Sequence, residues 1–388
     1  MKIAYVTEWS PFAPTGVLRK MLGQISSWKA AGHEAHIFSL TPLHRKPGAF
    51  EFDRHGEIIG CIRQDHLERF RHARLGFVNK LLSAPTLAGA VGAYRPDVIY
   101  YRQNGPWYPG IGAVLRLAPT VAELNGNIAQ EVVWGRANAL YRSWTQGRLW
   151  RHVHGFVSVS YDIASEYRQF GKPIAVIPNS MWGPPQLTKA SANMAPAFVF
   201  VGSQLADNGA WHGVDKIMRL ARAMPASRFN IVGLTRADTP DLSPPPNVFF
   251  HGPLFGEQLE AIYRNSDVGI GTLALHRRFM DTNSALKPLE YLMYGLPVIL
   301  GYRETEERLN NADYALLIGN HEQNVTDNLE AIAAFAEFWR GRRVTADLGY
   351  LSGEQIEQRR LAFLARIANG VSRLDQPAFN WARFDQKS

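Results

Sequence analysis

Short apolar segments alternate with amphipathic segments along this chain, and this alternation limits the possible folds more than any other feature. Met1–Ser10 is predicted to be a first strand, Val17–Ala31 has apolar residues at helical spacing, and His36–Leu40 is again strand-like. The same order restarts at Phe198–Gly202. Strand–helix–strand units of this kind build parallel sheets covered by helices. The sequence therefore predicts an α/β protein made of doubly wound, Rossmann-like units.

The length of the chain and one irregular segment predict how these units are divided. A chain of 388 residues exceeds a typical single domain. Residues 183–196 lack periodicity and are rich in Pro, Gly and small polar residues, which is typical of a linker. We expect one Rossmann-like domain over residues 1–182, a second over 197–370, and a tail at 371–388 that returns to the first.

Composition excludes several classes of protein. No apolar run reaches the roughly eighteen residues of a membrane-spanning helix, and the first residues, MKIAYVTEWS, are not a signal peptide. The single cysteine, Cys61, excludes an internal disulfide and a cysteine-based metal cluster. No Walker A sequence and no G-x-S-x-G elbow occurs. These features predict a cytoplasmic globular protein.

The charge of the chain favours an anionic partner. The net charge is +8 and the isoelectric point is near 9.5. Basic residues alternate with aromatic and aliphatic ones in segments 63–82 and 136–151, a pattern suited to peripheral binding on an anionic membrane surface. The same pattern also fits a solvated basic face of an ordinary helix. Charge alone would suit nucleic acid, and we do not expect that partner.

The most specific segment is Ser284–Val298, SALKPLEYLMYGLPV. It predicts a helix that ends at Gly295, because Gly is a common helix C-cap and Pro297 cannot continue the helix. Lys287 and Glu290 share one face of this helix. The positive N-terminus of a helix, with a lysine in its first turn, suits a phosphate group. The alternative is an amphipathic helix with a weak surface ion pair.

The segment resembles the nucleotide-sugar motif of glycosyltransferases with two facing Rossmann-like domains (the GT-B fold), in particular family 4. The pattern that carries the resemblance is S-x-L-K-x-x-E-Y-x-x-x-G-x-P-V. It implies that Lys287 contacts the donor diphosphate and that Glu290 holds the ribose. The family usually has a second glutamate eight residues upstream, beside the transferred sugar, where this chain has Thr282. The neighbouring Asp281 is the candidate to replace it.

Further donor-binding candidates follow from the same resemblance. Trp211–Lys216 resembles the family's K-G-x-x-x-L entry to a helix, where a basic residue before the glycine grips the diphosphate. That basic residue is His212, followed by Gly213, and Ser203 stands where the family often has Arg. Histidine is mostly neutral at pH 7, which weakens the grip. His212 and Ser203 could instead be hydrogen-bonding residues that bind no ligand.

Glycine and leucine candidates complete the donor site. Gly16 lies at a predicted loop-to-helix junction, where a missing Cβ lets backbone approach a phosphate, although a plain turn is the alternative. Residues 16–40 resemble the start of the same family, whose glycine loop faces the donor phosphates across the cleft. Leu254 follows a predicted strand and would border the base, and Leu286 precedes Lys287 in the motif.

Glu123 and Asn125 are the candidates on the acceptor side. They lie at the end of the strand Thr120–Leu124, where open α/β sheets bind ligands. In the resembling family an E-x-N segment at this place lies at the cleft. Glu123 would take the acceptor proton if the reaction inverts configuration. The Asn125-Gly126 pair also fits a simple turn.

The resemblance implies a glycosyltransferase that moves a sugar from a UDP- or GDP-type donor to a hydroxyl of a saccharide or lipid-linked saccharide. Retention of configuration and a place in bacterial polysaccharide or glycolipid synthesis are expected. No cofactor is expected, and no metal, because no ligand pattern with metal spacing occurs. A non-hydrolysing sugar-nucleotide epimerase and a catalytically silent binding subunit stay open as alternatives.

Overall fold

The computed structural model describes residues 1–8, 16–39, 48–52, 58–63, 76–102, 107–126, 136–183, 186–202, 210–239 and 241–370. The strands up to residue 182 are β1 (Lys2–Thr7), β2 (Glu34–Ser39), β3 (Gly48–Phe52), β4 (Ile58–Arg63), β5 (Val98–Arg102), β6 (Thr120–Leu124), β7 (Gly155–Ser158) and β8 (Ile174–Val176). The helices are α1 (Gly16–Ala30), α2 (Gly76–Tyr94), α3 (Pro109–Leu115), α4 (Arg136–Trp150) and α5 (Tyr161–Tyr167). Six strands form a parallel sheet in the order β2-β1-β5-β6-β7-β8, and β3 and β4 form a hairpin.

The later part of the chain repeats this plan. Its strands are β9 (Ala197–Val201), β10 (Arg228–Val232), β11 (Val248–Gly252), β12 (Val268–Ile270), β13 (Thr282–Asn283), β14 (Val298–Leu300), β15 (Arg303–Glu304) and β16 (Ala315–Leu317). Its helices are α6 (Val214–Ala223), α7 (Glu257–Arg264), α8 (Leu286–Met293), α9 (Glu307–Asn310), α10 (Asn324–Asp327), α11 (Leu329–Trp339) and α12 (Gly353–Ala368). The second parallel sheet has the order β11-β10-β9-β12-β14-β16. The predicted fold class, two Rossmann-like α/β units, is confirmed.

Local sequence explains why these elements form where they do. Ile3, Ala4 and Tyr5 in β1 are all fully buried, as expected for a central parallel strand covered on both faces. Helix α8 is terminated by Gly295, which follows the C-cap Tyr294 and has a φ of 72°. The amide of Leu296 donates to the carbonyl of Tyr291, and the amide of Gly295 to that of Leu292. This is the Schellman arrangement, and it requires the left-handed conformation that glycine adopts without strain.

Helix α12 packs on a different unit from the one that its position in the sequence predicts. The predicted second domain, residues 197–370, includes this helix, but it packs on the first sheet and on α1, where Trp28 Nε1 donates to Glu357 Oε2 at 2.8 Å. Arg360 Nη1 donates to Tyr100 Oη at 2.9 Å. The physical reason is an apolar face on α12, including Phe363, which closes over an otherwise open side of the first sheet. The tail at 371–388 lies outside the described residues.

Several hydrogen bonds join the elements around the first sheet to those around the second. The carboxylate of Asp162, in the first turn of α5, accepts from the amide of Thr282 at 2.6 Å and from its hydroxyl at 2.5 Å. The amide of Asn179 donates to Ser284 Oγ at 2.9 Å. The amide of Met181 donates to the carbonyl of Leu351 at 2.8 Å. These contacts place the N-terminus of α8 against the first sheet.

Candidate active site

Lys287 and His212 meet at the carboxyl end of the second sheet. They lie 75 residues apart in sequence, and the structure places Lys287 Nζ 3.1 Å from His212 Nδ1. Lys287 projects from the first turn of α8, and its Nζ is 4.3 Å from the ring centre of Phe200 on β9. The predicted pair of donor-binding residues therefore forms one site.

The surroundings of Lys287 give it an unusual protonation equilibrium. Burial removes water from its ammonium group and lowers its pKa from 10.5 to about 7. Loss of hydration is the cause of this shift. A bound anion would favour the charged form and raise the pKa again, so the site is suited to an anionic ligand.

Arg278 extends the site and is not among the residues predicted from the sequence. Its guanidinium carbon lies 4.3 Å from the ring centre of Trp211, and the rings of Trp211 and His212 are 3.9 Å apart. Trp211 thus joins Arg278 to His212 and Lys287. We call His212, Arg278 and Lys287 the basic cluster. Arg278 ends the 3-10 turn Leu275–Arg278 after β12, and the signal for it was a run of basic residues at a strand's carboxyl end.

Two predicted glycines allow close approach of backbone at this site. Gly213 has a φ of 75° and is the N-cap of α6, and a Cβ built on it would lie 2.9 Å from Leu273 Cβ. The glycine therefore fixes His212 at the start of α6. Gly16 is the first residue of α1, and a Cβ there would lie 3.2 Å from Leu286 Cδ1. Gly16 and Leu286 thus bring the starts of α1 and α8 together across the two sheets.

Glu290, expected to hold a ribose, has a protein partner in this structure. Its Oε1 lies 2.5 Å from Nη1 of Arg19 on α1. Glu290 is one helical turn beyond Lys287 in α8. Arg19 belongs to α1, so this ion pair reaches Glu290 from the opposite side of the cleft.

Glu123 does not have the surroundings of a general base. It is 1% exposed, and its carboxylate lies 2.9 Å from Lys20 Nζ, 2.6 Å from Arg102 Nη1 and 3.8 Å from Arg360 Nη1. Burial alone would raise the pKa of this carboxyl, but the three cations hold it well below its usual range. A carboxylate stabilised in this way is a poor proton acceptor. Glu123 holds α1, β5 and α12 together.

The remaining candidates lie in different surroundings. Asn125 is exposed, and its Oδ1 accepts a hydrogen bond from Lys20 Nζ at 2.9 Å. Asp281 Oδ1 accepts from Asn320 Nδ2 at 2.8 Å. Leu254 follows β11, the edge strand, and is separated from β9 by β10. Ser203 lies outside the described residues.

Thr282, the position of the family's second glutamate, contributes to the contact between the two sheets. It is 3% exposed and its hydroxyl donates to Asp162. The departure from the family pattern therefore coincides with a structural role for this residue.

Within the residues that the structure covers, no group of three or more His, Cys, Asp or Glu side chains is arranged to hold a metal ion. Among the same residues, no helix combines the length and the apolar character needed to cross a membrane.

A family comparison agrees with the fold. Residues 16–181 match the model of Glycosyltransferase Family 4. This match confirms the predicted class of enzyme, a glycosyltransferase of the GT-B type that resembles family 4. No curated protein matches the sequence of the chain.

Solved structures with this fold cover nearly the whole chain. Sucrose-phosphate synthase from Thermosynechococcus elongatus is similar with a TM-score of 0.63 and 14% identity, over 95% of this chain and 97% of that chain. The pneumococcal O-GlcNAc transferase GtfA, in complex with UDP and GlcNAc, has a TM-score of 0.54 and 10% identity, over 94% and 99%. The UDP-GlcNAc 2-epimerase from Neisseria meningitidis, bound to UDP-GlcNAc, has a TM-score of 0.53 and 12% identity, over 94% and 100%. At sequence identities this low, these structural similarities establish the fold alone.

Proposed function

We propose that this chain transfers a sugar from a nucleoside-diphosphate donor to a hydroxyl of a saccharide or lipid-linked saccharide acceptor. The observation that carries the proposal is the basic cluster, in which Lys287 projects from the first turn of α8 and lies with His212 and Arg278 around the ring of Trp211. Cations and a helix N-terminus at one point stabilise the negative charge that develops on a leaving diphosphate. The ribose and base of the donor would then lie along α8, past Glu290.

Retention of configuration is the outcome that the site favours. An inverting reaction needs a side chain that accepts the acceptor proton, and Glu123 is held as a carboxylate by three cations. In a retaining reaction the acceptor attacks from the side of the departing diphosphate. The diphosphate oxygen can then take the proton, and the basic cluster stabilises that group throughout.

The donor, the metal requirement and the biological setting are also proposals. Two proteins of similar fold were solved with UDP or a UDP-sugar, so UDP is the first nucleotide to test, with GDP second. The basic cluster supplies the positive charge that a divalent cation supplies elsewhere, so we expect no metal requirement. We place the reaction in bacterial polysaccharide or glycolipid synthesis, with the protein peripheral on the inner face of the membrane.

A thermal-shift screen against UDP, GDP, ADP, TDP and CMP, with and without EDTA, tests donor binding. A ligand that binds the folded state raises the melting temperature with its concentration. We expect one nucleoside diphosphate to raise it, unchanged by EDTA, and Lys287→Ala to abolish the effect. Lys189→Ala, in the segment between the two sheets, is the control. A full shift in folded Lys287→Ala protein would contradict the role of the cluster.

An epimerase is the second candidate, because the epimerase from Neisseria meningitidis has the same fold. Incubation with UDP-GlcNAc distinguishes the two functions. An epimerase converts the sugar nucleotide to its C2 epimer without an acceptor, whereas a transferase releases UDP in an acceptor-dependent manner. A catalytically silent subunit would bind the nucleotide and do neither.

A further inference from the structure

Helix α4 exposes one of its faces on the outside of the first sheet. Leu140 and Trp144, one helical turn apart, are 73% and 68% exposed. The guanidinium carbon of Arg148, a further turn along, lies 4.8 Å from the ring centre of Trp144 and 5.6 Å from that of Trp107. Arg151 is exposed just beyond the helix. We call Leu140, Trp144, Arg148 and Arg151 the α4 face; it is apolar at one end and basic at the other.

Basic side chains from three separate elements meet at the far end of α4. We call them the basic rim: Arg116, Arg151, His152, His154 and Lys172. A Cβ built on Gly112 would lie 3.0 Å from His152 Nε2 and 3.9 Å from Arg116 Nη1, so these two side chains share the space above Gly112. Burial lowers the pKa of His152, and the positive charges of Arg116 and Arg151 lower it further, as does that of Lys172. The two arginines and the lysine therefore concentrate positive charge on one part of the surface.

The net positive charge of the whole chain is concentrated in the half that contains α4. Residues 1–182 contain 21 Lys and Arg against 12 Asp and Glu, whereas residues 183–388 contain 21 against 22. Between Glu131 and Asp162 the chain has four arginines and no acidic residue. The excess positive charge thus belongs to the first half, and α4 lies in its acid-free part. A partner that binds there should carry negative charge.

The topology fixes which end of the α4 face is near the cleft. Helix α4 begins after β6, at the carboxyl edge of the first sheet, where the cleft lies. Trp107 follows β5 at the same edge, and Tyr141 Oη donates to its carbonyl at 3.0 Å. Leu140 and Trp144 therefore lie toward the mouth of the cleft, and the basic rim lies at the opposite edge.

We propose that the α4 face and the basic rim dock this chain on an anionic lipid bilayer with the mouth of the cleft at the membrane surface. Trp144 and Leu140 enter the interfacial layer, where aromatic and aliphatic side chains are stable. The arginines and Lys172 pair with lipid phosphates. The inference deepens the proposed function, on which it rests, because a lipid-linked acceptor then reaches the cleft from within the bilayer.

Co-sedimentation of the full chain with vesicles tests docking without any need for activity. We expect binding to phosphatidylcholine vesicles that contain phosphatidylglycerol, little binding to phosphatidylcholine alone, and weaker binding as salt is raised. No binding to the anionic vesicles, or equal binding to both kinds, would overturn the proposal.

Matched variants locate the surface. Arg116→Gln, Arg151→Gln and Lys172→Gln together should lower the partition coefficient on the order of 100-fold, since each basic residue near an anionic surface contributes about fivefold. The control removes three basic residues from the second half: Arg222→Gln, Arg236→Gln and Arg342→Gln. An equal loss in the control would show that net charge alone causes binding and would reject this surface.

The apolar end has its own pair of variants. Leu140→Ser with Trp144→Ser should lower vesicle binding about tenfold or more. Phe255→Ser with Phe338→Ser, residues 58% and 55% exposed in the second half, should leave it unchanged. Melting temperatures check that all four proteins are folded.

Two further readouts separate the possible failures. If anionic vesicles fail to bind but UDP still raises the melting temperature, docking is rejected and the transferase proposal stands. If vesicles bind at the α4 face and no nucleotide binds, docking stands alone. Heparin, a soluble anionic saccharide, is the third probe. If the rim variants lose heparin binding and keep vesicle binding, the surface serves a saccharide and the lipid proposal is wrong.

Discussion

In the proposed donor site, the charge of Lys287 would control how well a diphosphate is held. With a pKa of about 7, the lysine is only partly protonated near neutral pH. His212 is 3.1 Å away and Arg278 approaches through Trp211. A diphosphate placed among these groups favours the charged lysine, so binding and protonation are coupled.

This coupling predicts that nucleotide affinity falls as the pH rises. Affinity should be greatest below about pH 7, where Lys287 is already protonated, and should fall between pH 7 and 9 by up to about tenfold per pH unit. The second ionisation of a phosphate, near pH 6, lies below this window. Calorimetry at pH 8 in buffers of different ionisation enthalpy should show proton uptake on binding.

The control for this prediction is Lys287→Arg. An arginine stays protonated throughout the range, so this variant should bind nucleotide with little dependence on pH between 7 and 9. A flat pH profile in the unchanged protein would contradict the role given to Lys287.

At the scale of elements, α1 and α12 both pack against the side chain of Trp182. A Cβ built on Gly23 of α1 would lie 2.2 Å from the Trp182 ring, and one on Gly353 of α12 would lie 3.1 Å from it. The indole is therefore held between two helices that belong to distant parts of the sequence. Both glycines are needed because this contact leaves no room for a side chain.

Gly23→Ala should therefore lower the free energy of unfolding by about 1–3 kcal/mol, the usual cost of overpacking. The matched control is Gly89→Ala in α2, where an added Cβ meets nothing within 4 Å. That change should stabilise the protein by about 0.5–1 kcal/mol, because alanine restricts the unfolded chain and favours a helix. Urea denaturation measures both. Equal stability of the two variants would contradict the packing described for Trp182.

At the scale of the whole molecule, an ion pair bridges the cleft. Arg19 on α1 reaches Glu290 on α8 at 2.5 Å, and the arginine side chain is 58% exposed. A ribose that hydrogen-bonds Glu290 must compete with this arginine. The pair therefore opposes nucleotide binding while it holds the two halves together.

Arg19→Gln should tighten nucleotide binding by up to about fivefold, since an exposed ion pair contributes at most about 1 kcal/mol. Arg340→Gln is the control, because Arg340 forms a surface ion pair with Glu337 at the end of α11. Fluorescence titration with the nucleotide found in the screen measures both. Weaker binding by Arg19→Gln would mean that Arg19 contacts the ligand itself.

The sequence by itself determined the local structure and the most specific motif. The alternation of strands and helices, the end of α8 at Gly295 and the position of Lys287 in its first turn depend on residues that are neighbours in the chain. Hydrophobic period, glycine conformation and helix polarity act over a few residues, so they can be read directly from sequence.

Only the tertiary structure decided the surroundings of individual side chains. Glu123 looked like an acceptor-side base, but Arg360, 237 positions later, lies 3.8 Å from its carboxylate. The same holds for Arg19 beside Glu290 and for Arg278 beside Trp211. The interaction between two charges depends on the distance between them and on their burial. Neither the distance nor the burial can be read from the local spacing of residues in the sequence. The motif therefore located the site, and the fold decided which charges it contains.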